Sequence, residues 1–286
     1  MTREDLSTPI LSSVAPLANE SDAWICDVWG VLHNSVTAFG AASDACRRFR
    51  DRGGVVVLLS NAPRPGYVVQ QQLDCLKVPR DAYDVIITSG DLTRALVRER
   101  SREALFHLGP GRDAALFEGL GVRFTDVSHA RLVVCSGLFD DEHETPEDYA
   151  PMLGLLAGRK VPMICANPDL TVERGERLVC CAGALAELYE RLGGPVAYAG
   201  KPHLPVYNLV IEQITKLTGR AVPKARMLAI GDGIQTDIRG ATNAGVRSLF
   251  IASAIHVDGP LTSATLSRLF EGSDVRPVAA MPALAW

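Results

Sequence analysis

Short, unbroken apolar runs recur along the chain, each followed by a loop and then a stretch with helical spacing. Ala23-Trp24-Ile25-Cys26 ends at Asp27, and a helical stretch from about Ala41 to Arg52 follows, stopped by Gly53-Gly54. Val55-Val56-Val57-Leu58-Leu59 ends at Ser60, and Asp84-Val85-Ile86-Ile87 precedes a helix predicted from about Asp91. Met227-Leu228-Ala229-Ile230 ends at Gly231-Asp232, before a helix from about Thr236 to Ala244 and a strand over Ser248-Leu249-Phe250-Ile251. Unbroken apolarity over four or five positions suits a parallel strand covered on both faces. Alternation of such strands with helices predicts an α/β fold with a doubly wound parallel sheet.

The middle of the chain repeats the alternation with strands at Leu132–Cys135 and Val161–Cys165 and helices at Pro146–Leu156 and Ala184–Leu192. Residues 1–88 and 196–286 are read as one α/β core, with residues 89–195 as a second α/β domain inserted into it. The tail after Ser273 is rich in Pro and Ala, which suggests loose attachment.

Composition narrows the chemistry. The chain has 286 residues, 47% of them hydrophobic, and a formal net charge of -4. That leaves no basic footprint for nucleic acid, although a local site on an acidic protein can still be positive. No apolar run approaches a membrane span, and the polar N-terminal stretch does not read as a signal peptide, so the cytoplasm is the default location. Seven cysteines, an odd number with no C-x-x-C spacing and most of them in apolar runs, read as reduced core residues rather than a disulfide framework.

Polar residues sit at or near where the apolar runs end: Asp27, Ser60, Lys201 and the pair Asp232/Asp237. If those runs are neighbouring parallel strands, the groups converge on the sheet edge where such folds bind ligands. An aspartate can attack phosphorus. A hydroxyl and an ammonium can hold phosphoryl oxygens, and two more carboxylates can hold a hard cation. Each residue also has a plainer reading, as turn, cap or solvated surface residue. Their occurrence in order, at strand ends, favours chemistry.

Asp27-Val28-Trp29-Gly30-Val31-Leu32, Ser60-Asn61, Gly200-Lys201-Pro202 and Gly231-Asp232-Gly233-Ile234-Gln235-Thr236-Asp237 together resemble the four motifs of the haloacid dehalogenase superfamily. The insert between the second and third motifs resembles the class IIA branch, which includes sugar, nucleotide, aryl-phosphate and pyridoxal phosphate phosphatases. Ala166-Asn167-Pro168-Asp169 and Cys181-Ala182-Gly183-Ala184-Leu185 resemble cap signatures of that branch. The resemblance implies a hydrolase acting on a small phosphorylated metabolite, such as a sugar phosphate, through an aspartyl phosphate on Asp27. It implies Mg²⁺ held by Asp27, Asp232 and the backbone carbonyl of Trp29, with Asp237 supporting the metal waters or Lys201. It assigns Gly30, Ser60, Asn61, Lys201, Asn167 and Asp169 to phosphate or substrate, with backbone N–H groups after Asp27 completing the phosphate cradle. It also implies a cap-mediated homodimer.

One position departs from the pattern. Most phosphatases of the superfamily carry an acid/base aspartate two residues after the nucleophile; here that residue is Trp29, which has no such capacity. The departure predicts a slow enzyme or one that prefers good leaving groups. It keeps two alternatives open, a phosphometabolite-binding protein and a phosphotransferase. His33 is a candidate substitute acid, against its reading as a turn or core histidine. No lysine occurs before Lys77, which argues against the phosphonate-cleaving branch.

Overall fold

The computed structural model describes residues 8–174, 177–252 and 259–286. The positions Glu4 and Asp5 of the polar N-terminal stretch lie outside them. The chain forms two compact units: one holds residues up to 60, 70–87 and from 207 onward, the other residues 61–69 and 88–206.

The first unit is built on a six-stranded sheet. Its strands are β1 (Ala23–Asp27), β2 (Val55–Ser60), β3 (Val85–Thr88), β4 (Met227–Gly231), β5 (Arg247–Ile251) and β6 (Ala279–Met281), in the order β6-β5-β4-β1-β2-β3. The pairings from β6 through β2 are parallel. The central β1 is flanked on both sides, which is why Ala23–Cys26 is apolar without alternation and buried throughout. Chain order runs one way from β1 through β3 and the other way from β4 through β6. The topology therefore reverses between β1 and β4, the place where open α/β sheets bind ligands at their carboxyl ends. Helix Gly40–Asp51 covers β1 through a stack of Phe49 on Trp24, with ring centroids 4.1 Å apart.

The tail is not loose. Ala279–Met281 is a buried edge strand on β5, the Ala280 N–H donates to Pro9 O, and Leu11 N–H donates to Ala280 O. Leu284 is also buried. Three small or flexible apolar residues between prolines carry no periodicity, so only the neighbouring strand reveals them.

The second unit has its own five-stranded sheet, ordered Val196–Tyr198, Met163–Cys165, Leu132–Cys135, Ala104–Leu108 and Arg123–Phe124, with all four pairings parallel. Leu153, Leu156, Leu185 and Tyr189 pack its core from helices Ala150–Gly158 and Ala182–Arg191. Because Val196–Tyr198 pairs with Met163–Cys165, the chain stays in this sheet past residue 195, where the sequence suggested a boundary. A separate hairpin pairs Thr171–Arg174 with Arg177–Cys180.

Two helix boundaries shift for local reasons. The helix predicted from Asp91 begins at Ser89, because Thr88 caps it and Asp91 closes the reciprocal capping bond. The helix predicted from Thr236 begins as a π turn over Ile234–Ile238 before Arg239–Ala244. No helix among the described residues is long and apolar enough to cross a membrane.

Candidate functional site

β1 ends on Asp27, and register places Asp27 beside Leu59, so Ser60 stands one residue further along the neighbouring β2. On the other side, Cys26 is level with Ile230, and Asp232 follows the end of β4. The π turn then brings Asp237 back toward this edge. Its N–H donates to Gly233 O at 2.8 Å, and its Oδ2 accepts from Gly233 N–H at 3.1 Å. Asp27, Asp232 and Asp237 each present a carboxylate oxygen, and these oxygens lie within 4.8 Å of one another. Asp232 and Asp237 are buried.

Carboxylates this close repel by an order of 3 kcal/mol per pair at an effective dielectric of about 20. The arrangement therefore suits a hard divalent cation, for which oxygen donors are the preferred ligands. Gly30 has φ +80, and a Cβ there would lie 2.0 Å from Asp232 Oδ2. Only glycine lets the backbone approach that carboxylate. The Gly30 N–H itself donates to His33 O at 2.8 Å, and the Val28 N–H donates to Asp27 Oδ1 at 2.8 Å. These two N–H groups are thus engaged within the protein.

Trp29 turns into its own loop. Its indole N–H donates to Ser35 Oγ at 2.9 Å, while the Ser35 N–H donates to His33 Nδ1 at 2.9 Å. His33 is buried, and burial lowers its pKa to about 4, so the imidazole is neutral near pH 7. A neutral ring that accepts a backbone bond is a loop-forming histidine, the plainer of the two readings above.

The second unit gathers the remaining residues. Asn61 donates through Nδ2 to Asp169 Oδ1 at 2.8 Å, and its Oδ1 accepts the Lys201 N–H at 2.8 Å. Asn167 forms an Asx turn, its Oδ1 accepting the Asp169 N–H at 3.1 Å. Gly183 N–H donates to Asp169 O at 3.1 Å, so the two cap signatures read from the sequence pack on one another. Lys201 is 3% exposed. Arg64 Nε lies 3.5 Å from Oδ1 of the buried Asp113, and His203 stacks on Tyr198. Sequence reasoning missed Ser89, which with Gly200 of the third motif closes around Asn61; the Thr88/Asp91 capping box was the available signal for Ser89.

Comparison with known proteins shows the family. Residues 24–123 match a family model described as haloacid dehalogenase-like hydrolase, and residues 198–268 match a second one, HAD-hydrolase-like. The chain is similar to the crystal structure of a hydrolase of the haloacid dehalogenase-like family from Brucella suis 1330. Identity is 43% with a TM-score of 0.86, covering 96% of this chain and 100% of that one. It is 24% identical to the 5'-nucleotidase YutF of Bacillus subtilis and 25% identical to the ribonucleotide monophosphatase NagD of Escherichia coli. Each match covers 81% of this chain and 87% of the relative. By these matches the chain belongs to the haloacid dehalogenase-like hydrolases, in their class IIA branch.

Proposed function

We propose that the protein is a Mg²⁺-dependent phosphatase that cleaves a small phosphorylated metabolite, such as a sugar phosphate, through an aspartyl phosphate on Asp27. The observation that carries it is the group of three carboxylates at the carboxyl edge of the core sheet, with Asp27 closing the strand beside the topological reversal. Asp27, Asp232 and the Trp29 carbonyl would hold the cation, with Asp237 behind them; when bound, it neutralises charge on the phosphoryl group.

One Asp27 carboxylate oxygen attacks phosphorus, and the bond to the leaving oxygen breaks. The leaving oxygen departs with its electron pair and takes a proton from water. Water then attacks phosphorus of the acyl phosphate, gives up a proton to solvent, and releases Asp27 with inorganic phosphate. Ser60 donates its hydroxyl to a phosphoryl oxygen, and Lys201 supplies a positive charge. Asn167 shapes the cap loop through its turn, with Asp169 beside it for substrate. The names of the relatives, a nucleotidase and a nucleotide monophosphatase, support a phosphomonoester as the bond cleaved. Seven free cysteines suit a reducing compartment such as the cytoplasm.

Trp29 supports a second reading. With its indole bonded to Ser35, the usual acid/base position offers no proton. Phosphoryl transfer to an acceptor other than water, or binding without turnover, then competes with hydrolysis. Phosphate release from an aryl phosphate, with and without Mg²⁺ and beside Asp27→Asn, separates these. Release that needs both metal and Asp27 supports hydrolysis; equal silence of the wild type and the variant at saturating metal removes it.

A further inference from the structure

Asn61 follows the Ser60 hydroxyl directly, and the sequence assigned it to substrate. Its side chain has no bonding capacity left for one. A primary amide has two N–H donors and an oxygen that accepts twice. Nδ2 donates to Asp169 Oδ1 at 2.8 Å and to Lys201 O at 3.1 Å. Oδ1 accepts the Lys201 N–H at 2.8 Å and the Ser89 hydroxyl at 3.2 Å. The amide is 5% exposed. Only one orientation of the amide serves both Lys201 groups, since the N–H needs an acceptor and the C=O a donor.

The two bonds to Lys201 grip its N–H and its C=O, as a neighbouring β-strand would. Holding both peptide groups that flank one Cα fixes the direction in which that residue's Cβ leaves the backbone. Gly200 makes the grip sterically possible. A Cβ there would lie 2.1 Å from Ser89 Oγ and 2.4 Å from Asn61 Oδ1.

We propose that Asn61 is a positioning residue: its amide clasps the Lys201 backbone and the Asp169 carboxylate, sets where the lysine ammonium points, and does not itself touch substrate. The role of the ammonium rests on the phosphatase reading above; the clasp does not.

The test is a double-mutant cycle of Asn61→Ser and Lys201→Met, read on orthophosphate affinity by calorimetry, which needs no turnover. Asn61→Ser alone is expected to weaken orthophosphate about 10–100-fold, and to add less than about 3-fold in the Lys201→Met background. Its effect on kcat/KM should be the same for aryl and alkyl phosphates. Additive effects in the cycle, or an effect that changes with the leaving group, would show direct substrate contact and overturn the proposal. Should Asn61→Ser fail to fold, Gly200→Ala forces the clasp open while keeping the amide, and the same non-additivity is expected. Amide exchange at Lys201 in ¹⁵N-lysine-labelled protein reads the clasp even if the wild type proves inactive. Protection in the wild type that falls at least tenfold in either variant supports the clasp, and unprotected wild-type exchange rejects it. Absent phosphate release with an intact, protected clasp would count against the phosphatase reading alone.

Discussion

Two polar clusters, one in each unit, solve opposite problems. In the core unit, Asp27, Asp232 and Asp237 press like charges together at the end of a parallel sheet. In the inserted unit, the Asn61 amide is neutral, buried and bonded at every position. The first cluster gathers oxygen donors of the kind a hard cation takes, which suits the chemistry proposed for it. The second wants nothing and can serve only to hold other groups still. Burial alone does not mark a functional residue; what matters is whether its bonding and charge are already answered inside the protein.

The largest expected effect lies in the charged cluster. Asp27→Asn should lower aryl phosphate turnover by about 10⁴-fold or more, as removal of a covalent nucleophile does. Chelating the metal should take the wild type to the same background, which a phosphate-release assay with added EDTA and restored Mg²⁺ checks. Next comes Trp29→Asp. It restores a proton donor at the position now bonded to Ser35, and general acid help is worth about 10²–10⁴-fold. Turnover of alkyl phosphates should rise at least tenfold while that of activated aryl phosphates changes little. An equal response across a leaving-group series would show that Trp29 is not what limits protonation.

A reciprocal pair of isosteric changes sharpens the contrast between the clusters. Asn61→Asp places a charge among satisfied bonds beside Asp169 and should destabilise by about 2–4 kcal/mol. Asp232→Asn alters the group proposed to hold the cation and should weaken Mg²⁺ binding by about tenfold or more, which calorimetry reads. A Mg²⁺ affinity that Asp232→Asn leaves unchanged, or an Asn61→Asp protein as stable as the wild type, would break the distinction.

The smallest effect is expected at the other edge of the core sheet, where a carboxylate is already answered. Asp22, just before β1, bonds Arg226 and Arg220, and these lower its pKa to about 2, against the cost of its desolvation. A depressed carboxylate contributes stability that is present above its unfolded pKa, near 4, and is lost as pH falls through about 2. Screened at the surface, the contribution is about 1 kcal/mol. Asp22→Asn should lower the melting temperature by a few degrees at pH 6, and the difference should shrink as pH falls from about 4 through about 2.

Much of the core was legible in the chain. The runs at Ala23–Asp27, Val55–Ser60 and Met227–Gly231 are apolar without alternation because they lie inside a parallel sheet, and glycines and aspartates mark their ends. Short edge strands were not legible. Ala279–Met281 is too short for a period and gains its structure from Arg247–Ile251 alongside it. Ala104–Leu108 was missed for a related reason: His107 interrupts its apolar run.

The same division holds for the candidate site. Sequence by itself set which groups are available: an aspartate where β1 ends, a serine where β2 ends, a Gly-Asp pair after β4, and a tryptophan where an acid is usual. Residue identity and the period of burial are local properties, and a chain displays them directly. Only the tertiary structure decided what each group is free to do. It drew Asp237 to Asp27 through a π turn, spent the Gly30 N–H on His33, and turned Trp29 toward Ser35. It also used up the Asn61 amide on partners 28, 108 and 140 residues away. Hydrogen-bond capacity is finite and is filled by whatever lies near in space, and the sequence does not record that distance.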